Sequence, residues 1–288
     1  MQSRRTDIWG WSLIMPALVL LGIFMIYPIL SSLWLSLHTG KGMNLSFGGA
    51  ANILRLEEDP VFLRALFNTL LFLVVQVPIM IALALVFAVA LDDRTLWGRA
   101  WFRTAIFLPC VTSLVTYSVL FKSMFAHDGV VNDTLMFLNF VDQPIPWLTD
   151  PGWARVVIII AITWRWTGYN MIFFLAALQN IDRSIYEQAR IDGVPAHARL
   201  LRLTVPMLKP IILFLFIMST IGTLQLFDEV MNITEGGPAD ATLTLSLYIY
   251  NLTFKFMPSY GYASTVSYVI VVLVAILSWL QFRLARDK

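Results

Sequence analysis

The sequence predicts an all-α integral membrane protein with six transmembrane helices and both termini in the cytoplasm. Three observations predict it. Of 288 residues, 58% are hydrophobic and 13% charged, whereas a soluble domain carries about 25% charged residues. Six apolar segments are long enough for a bilayer core, which takes about 20 helical residues. Lys and Arg concentrate in alternate connections between these segments, as the positive-inside rule requires.

The first segment, Ile8–Leu37, follows Arg4 and Arg5. It is too long for a secretory signal, and no small-residue cleavage site ends it. Asp7, Trp9 and Gly10 stand where a twin-arginine signal has apolar residues, so a retained helix is expected. It is long enough to tilt or to include an interfacial turn near Tyr27-Pro28. The other spans are Leu66–Leu91, Thr104–Phe125, Ala154–Leu178, Met207–Phe227 and Tyr262–Phe282; none of the six contains Asp or Glu. Pro16, Pro28, Pro78 and Pro109 lie within spans, where neighbouring helices and waters satisfy the carbonyls they free. The expected organisation is a first helix with its outer loop (1–65), then a core of five spans (66–285).

Charge fixes the orientation. Arg4, Arg5, Arg94, Arg99, Arg103, Arg183, Arg190, Arg199, Arg202, Lys209, Arg283, Arg286 and Lys288 fall on the N-terminal side, against Lys41, Arg55, Arg64, Arg155 and Lys255 on the other. The outer 126–153 loop is acidic, with Asp128, Asp133, Asp142 and Asp150. The single cysteine, Cys110, excludes an internal disulfide and reads as a packing residue.

The 180–206 connection is long, helix-prone and basic. Ser184 with Glu187 three residues on has capping-box spacing, which predicts a helix to about Asp192. Gly193 permits a left-handed turn, and Pro195 suits the first turn of a second short helix. Pro206 then returns the chain to the membrane. Ala189 and Ile191 would form the apolar side of this knob, and Glu187, Arg190 and Asp192 its charged side.

Glu187-Gln188-Ala189, then Asp192-Gly193, then Pro206 thirteen residues after the glycine, resembles the EAA loop of bacterial ABC importer permeases. The family has alanine where this chain has Gln188. Thr234-Glu235-Gly236-Gly237-Pro238, Leu247-Tyr248-Ile249-Tyr250 and Gly261-Tyr262-Ala263 are similar to the outer loop and last span of the carbohydrate-type permeases, typified by the maltose and glycerol-phosphate systems. So is the stretch from Trp164 to Leu178-Gln179-Asn180-Ile181. The resemblance covers most of the chain from about residue 60. It implies the type I importer permease fold in a bacterial inner membrane. It also implies a second permease subunit, two ATPase subunits that hold ATP and Mg, and an extracytoplasmic sugar-binding protein. Glu187, Ala189, Asp192, Gly193 and Pro206 would then form the ATPase-coupling segment.

A substrate path is expected in the fourth and fifth spans. Arg165 in mid-span costs roughly 2.5–3.5 kcal/mol on insertion scales and so needs a partner or water. Trp166, Tyr169 and Asn170 offer aromatic faces beside hydrogen-bonding groups, which suits the C–H patches and hydroxyl rim of a sugar. Ser219 and Thr223 lie on one helical face, with Gln225 and Asp228 following near the outer end. Interfacial aromatics and helix-packing hydroxyls are the alternative readings.

No Gly-x-x-x-x-Gly-Lys-Ser/Thr loop is present, so ATP hydrolysis is expected on a partner and no cofactor on this chain. His38, His127 and His197 are scattered without metal-ligand spacing, no nucleophile–base set suggests a catalytic residue, and no basic patch with interleaved aromatics suggests nucleic acid. A self-sufficient secondary carrier or channel is the alternative; it explains six spans but not the inner loop.

Overall fold

The computed structural model describes residues 2–42, 44–93 and 95–286, with side chains over 11–42, 44–93 and 95–284. The charges of Arg4, Arg5, Arg94, Arg286 and Lys288 lie outside this description. The chain divides into two compact units, 1–60 with 249–269 and 61–248 with 270–288.

The first unit begins with α1 (Gln2–Leu21), a π-helical turn (Gly22–Ile26) and α2 (Tyr27–Ser36). No break interrupts the helix at Tyr27-Pro28: Ile26 and Tyr27 keep right-handed helical geometry, and the turn just before Pro28 is the π-helical one. A hairpin follows, β1 (His38–Lys41) and β2 (Asn44–Phe47), paired antiparallel with His38 opposite Phe47, and then α3 (Ala51–Glu58). Asn52 on α3 is buried and donates to the carbonyls of Ser36 at 2.9 Å and His38 at 2.8 Å, which fixes the end of α2. Gly261 lies so close to the His38 carbonyl that a Cβ would collide with it.

The second unit opens with α4 (Pro60–Asp92), α5 (Arg99–Val111) and α6 (Leu114–Met124). Next come α7 (Val130–Phe137) and α8 (Pro151–Leu178). After α9 (Arg183–Ile191) and α10 (Ala196–Arg199), a π-turn (Leu200–Thr204) leads into α11 (Val205–Met207), α12 (Lys209–Leu224) and α13 (Asp228–Ile233). The chain ends with α14 (Leu245–Tyr250), a π-turn (Asn251–Lys255) and α15 (Tyr260–Arg286), which run through both units. A buried apolar core joins α4, α8 and α12 through Val77, Met80, Met171, Phe174, Leu208 and Leu215.

Four helices among the described residues are long and apolar enough to cross a membrane: Trp11–Ser36, Pro60–Asp92, Pro151–Leu178 and Tyr260–Leu284. Two bent pairs make the count six if each is one span. The six expected spans are compatible with this count, the third and fifth as bent pairs. The third bends by 100° between α5 and α6, and the fifth by 74° between Ala196–Met207 and Lys209–Leu224. The first bend falls where Thr112 and Ser113 leave helical geometry, with ψ of 150° and 134°, after α5 ends two residues beyond Pro109. The Thr112 hydroxyl takes up the Pro109 carbonyl at 2.7 Å. At the second, Leu208 leaves helical geometry and α12 starts at Lys209-Pro210, not at Met207.

Candidate functional site

The coupling segment is built from local signals. Helix α9 is capped by Asp182, whose carboxylate accepts from the Ser184 N–H at 3.0 Å. That bond and the Ser184 hydroxyl hold its carboxyl below the usual range. Ser184 is therefore inside the helix, and the expected Ser184 cap is corrected. Asp wins because it stands one residue before the first helical position, where a side-chain oxygen reaches the orphan donors.

The C-terminus of α9 is a Schellman turn. Gly193 N–H donates to Arg190 at 3.1 Å and Val194 N–H to Ala189 at 2.9 Å. Gly193 has φ +71° with open space where a Cβ would stand, so glycine is there for its conformation. Ala189 is buried, while Glu187 and Asp192 face solvent. Ile191 is 85% exposed; the expected pairing of Ala189 and Ile191 on one apolar side fails because two residues advance a helix by about 200°. Pro195 caps α10 rather than joining its first turn. Pro206 is exposed in α11, one short turn before the bend. Tyr186 OH meets the buried Thr204 hydroxyl at 3.1 Å and ties α9 to the π-turn; no local pattern marks this pair.

A second site lies at mid-length of α8. This helix is about 42 Å long, and Trp166 is about 22 Å from its start. A cavity of about 540 Å³ opens there between α4, α8, α12 and α13. Its wall includes Trp166, Tyr169, Asn170, Ser219, Thr223, Gln225 and Asp228, so seven of the eight residues expected on the path converge. Trp166 and Tyr169 meet edge to face with ring centroids 5.8 Å apart. Asn170 donates to the Trp166 carbonyl at 2.9 Å.

Arg165 lies behind this wall. Its Nη2 donates to the Thr112 carbonyl at 3.1 Å, at the elbow between α5 and α6. Its guanidinium stands 5.0 Å over the Tyr117 ring, a cation–π distance. The break in the third span thus supplies the partner that a mid-span arginine requires. Helix α5 reaches α8 closely because of Gly168, where any Cβ would strike the Ile106 carbonyl.

Two polar residues of the cavity, Gln76 and Glu229, were not among those expected. Gln76 on α4 is 1% exposed and accepts from the Thr223 hydroxyl at 3.2 Å. Glu229 on α13 is 4% exposed and accepts a long 3.4 Å bond from the Trp166 indole N–H. A glutamine in the second span was a visible signal. Glu229 sits beyond the fifth span, and nothing in its neighbourhood distinguishes it from a loop carboxylate.

Residues 59–287 match the family of binding-protein-dependent transport system inner membrane components. The chain is 66% identical over 288 residues to the lactose transport system permease protein LacF of Rhizobium radiobacter, covering 99% of this chain and 97% of that one. It is 32% identical to the sulfoquinovosyl glycerol transport system permease protein SmoG of Agrobacterium fabrum, covering 96% and 90%. It is 31% identical to the trehalose/maltose transport system permease protein MalF of Thermococcus litoralis, covering 97% and 94%. Among solved structures, it matches a chain of a bacterial ABC transporter involved in the import of the acidic polysaccharide alginate. There the TM-score is 0.86 over 99% of this chain and 98% of the other, at 22% identity.

Proposed function

Because this chain belongs to the family of binding-protein-dependent transport system inner membrane components, we propose that it carries an uncharged saccharide, lactose or a related disaccharide, through the membrane. It does so as one subunit of an ATP-driven importer. The observation that carries the cargo assignment is the mid-helix cavity. Its volume falls within the roughly 300–1,000 Å³ of small-molecule sites, and its wall combines the aromatic side chains of Trp166, Tyr169 and Phe227 with the amides of Gln76, Asn170 and Gln225 and the hydroxyls of Ser219 and Thr223. Identity of 66% over 99% of this chain to the lactose permease supports the same cargo class.

The mechanism is alternating access. A second permease subunit completes the pore, and an extracytoplasmic binding protein delivers the sugar. Two ATPase subunits bind ATP and Mg at the cytoplasmic face of the inner membrane. The exposed face of α9, with Glu187 and Asp192 directed by the Gly193 turn, docks on an ATPase, and the Tyr186–Thr204 bond makes the knob move as one lever. Differential contact of that lever with the two ATPase states shifts the permease between outward and inward forms. This chain supplies no chemistry of its own.

The test is reconstitution of the assembly in proteoliposomes. ATP-dependent lactose uptake that requires the binding protein, and at least tenfold loss in Glu187→Arg with the complex still intact, supports the reading. Lactose flux by this chain alone, indifferent to ATP, would return it to a secondary carrier.

A further inference from the structure

The cavity's charge is one-sided. Asp228 and Glu229 both line it at the α13 end, and no Lys, Arg or His does. Glu229 is the buried one, and the Trp166 bond it receives is long. A carboxylate has about four acceptor sites, so the long Trp166 bond and one from its own backbone N–H leave capacity for more. Arg165 acts on it only through space, without a contact ion pair; the ion pairs among the described residues are Arg64–Asp240 and Lys122–Glu235. Arg165 Nε and Nη1 are buried without a hydrogen-bond partner. Burying a carboxylate this way is costly unless something completes its shell.

We propose that Glu229 is the specificity-determining residue of the cavity, accepting hydroxyl hydrogen bonds from an uncharged sugar and excluding anionic ones. Two neighbouring O–H groups of a pyranose donate to the carboxylate, in hydrogen bonds about twice as strong as neutral ones. The sugar ring lies against Trp166, whose indole N–H already orients the carboxylate. A carboxylated or sulfonated sugar brings like charge into a poorly screened site and is rejected. Specificity by charge has to be local here, since the same fold serves a transporter of an acidic polysaccharide. The inference rests on the sugar-permease reading above.

The experiment measures equilibrium binding of lactose and of lactobionate, its aldonate counterpart, to the purified permease–ATPase complex in nanodiscs. Wild type, Glu229→Gln and Glu229→Asp are compared, alongside ATP-dependent lactose uptake by wild type in proteoliposomes. The expected result is wild-type preference for lactose, at least tenfold weaker lactose binding in Glu229→Gln, and loss of most discrimination against lactobionate. Glu229→Asp keeps the charge but withdraws it, so it should weaken lactose binding while still rejecting lactobionate. If Glu229→Gln does not assemble, Glu229→Asp decides by that split. Unchanged lactose binding and discrimination in the variants, with wild-type uptake intact, overturns the role of Glu229 and leaves the permease reading standing. Absence of ATP-dependent sugar uptake in wild type overturns both.

Discussion

The Thr223 hydroxyl donates to the Gln76 side-chain oxygen at 3.2 Å, joining α12 to α4 across the back of the cavity. The two residues are 147 positions apart. Gln76 Nε2 is turned to Met80 Sδ at 3.1 Å, so the amide is held on both sides and presents a fixed wall.

Removing the donor alone should be worse than removing the pair. Thr223→Val keeps the shape and leaves Gln76 Oε1 buried without its donor, at a cost of about 1–3 kcal/mol. Thr223→Val with Gln76→Leu should recover part of that loss. Thermal unfolding of the detergent-solubilised complex reads the stability. Sugar uptake should fall in both, because the cavity loses polar groups either way. Additive destabilisation in the double variant would show that the bond contributes nothing.

Gly193 separates conformation from space. Because φ is +71° and no atom crowds the missing Cβ, Gly193→Val should strain the backbone by about 1–2 kcal/mol, while Gly193→Asn should be tolerated, since Asn visits this region readily. Coupled ATPase activity should drop at least tenfold in the valine variant and less than threefold in the asparagine variant. Equal loss in both would point to contact with the glycine surface rather than to the turn.

Gly168 makes the opposite case. Its missing Cβ position is occupied by the Ile106 carbonyl, so even Gly168→Ala forces α5 away from α8. Overpacking of this kind costs about 1–3 kcal/mol, and the expected outcome is a lower yield of assembled complex and a lower melting temperature. Ala at this position with wild-type stability would mean the two helices separate freely.

Arg165 is expected to act through the elbow. Arg165→Met removes the bond to Thr112 and the contact with Tyr117. It should lower the melting temperature of the complex markedly. Arg165→Lys, which keeps charge but loses the planar fork, should recover only part. A change confined to lactose affinity, with stability untouched, would place the guanidinium in the sugar path instead.

The Asp182 cap carries a pH signature. Its carboxyl is held below the usual range by Ser184, so the cap is intact above about pH 4, the ordinary carboxylate range. Its contribution is lost as pH falls through the lowered folded value. Amide exchange in the first turn of α9, corrected for intrinsic rates, should be flat from pH 8 to pH 5. Asp182→Ala should raise exchange there at every pH.

By itself the sequence determined the spans, the two-helix knob with its glycine turn, and most of the polar residues of the cavity. Each depends on a short-range pattern: a run of apolar residues, a dipeptide that only a left-handed turn explains, hydroxyls or aromatics three and four positions apart on one helical face. The tertiary structure decided what those patterns leave free. It set the elbow after Pro109, since a proline marks a weakness while the neighbouring helix decides how far the chain bends. Arg165 was assigned its partner by a carbonyl that the elbow exposes, 53 positions away. Gln76 and Glu229 were brought to the same cavity from α4 and α13, and whether a lone polar residue faces lipid, a packed helix or a cavity depends on how each helix is rotated. That rotation is fixed by packing between helices far apart in the chain, as at Gly168 and Ile106, and local periodicity does not encode it.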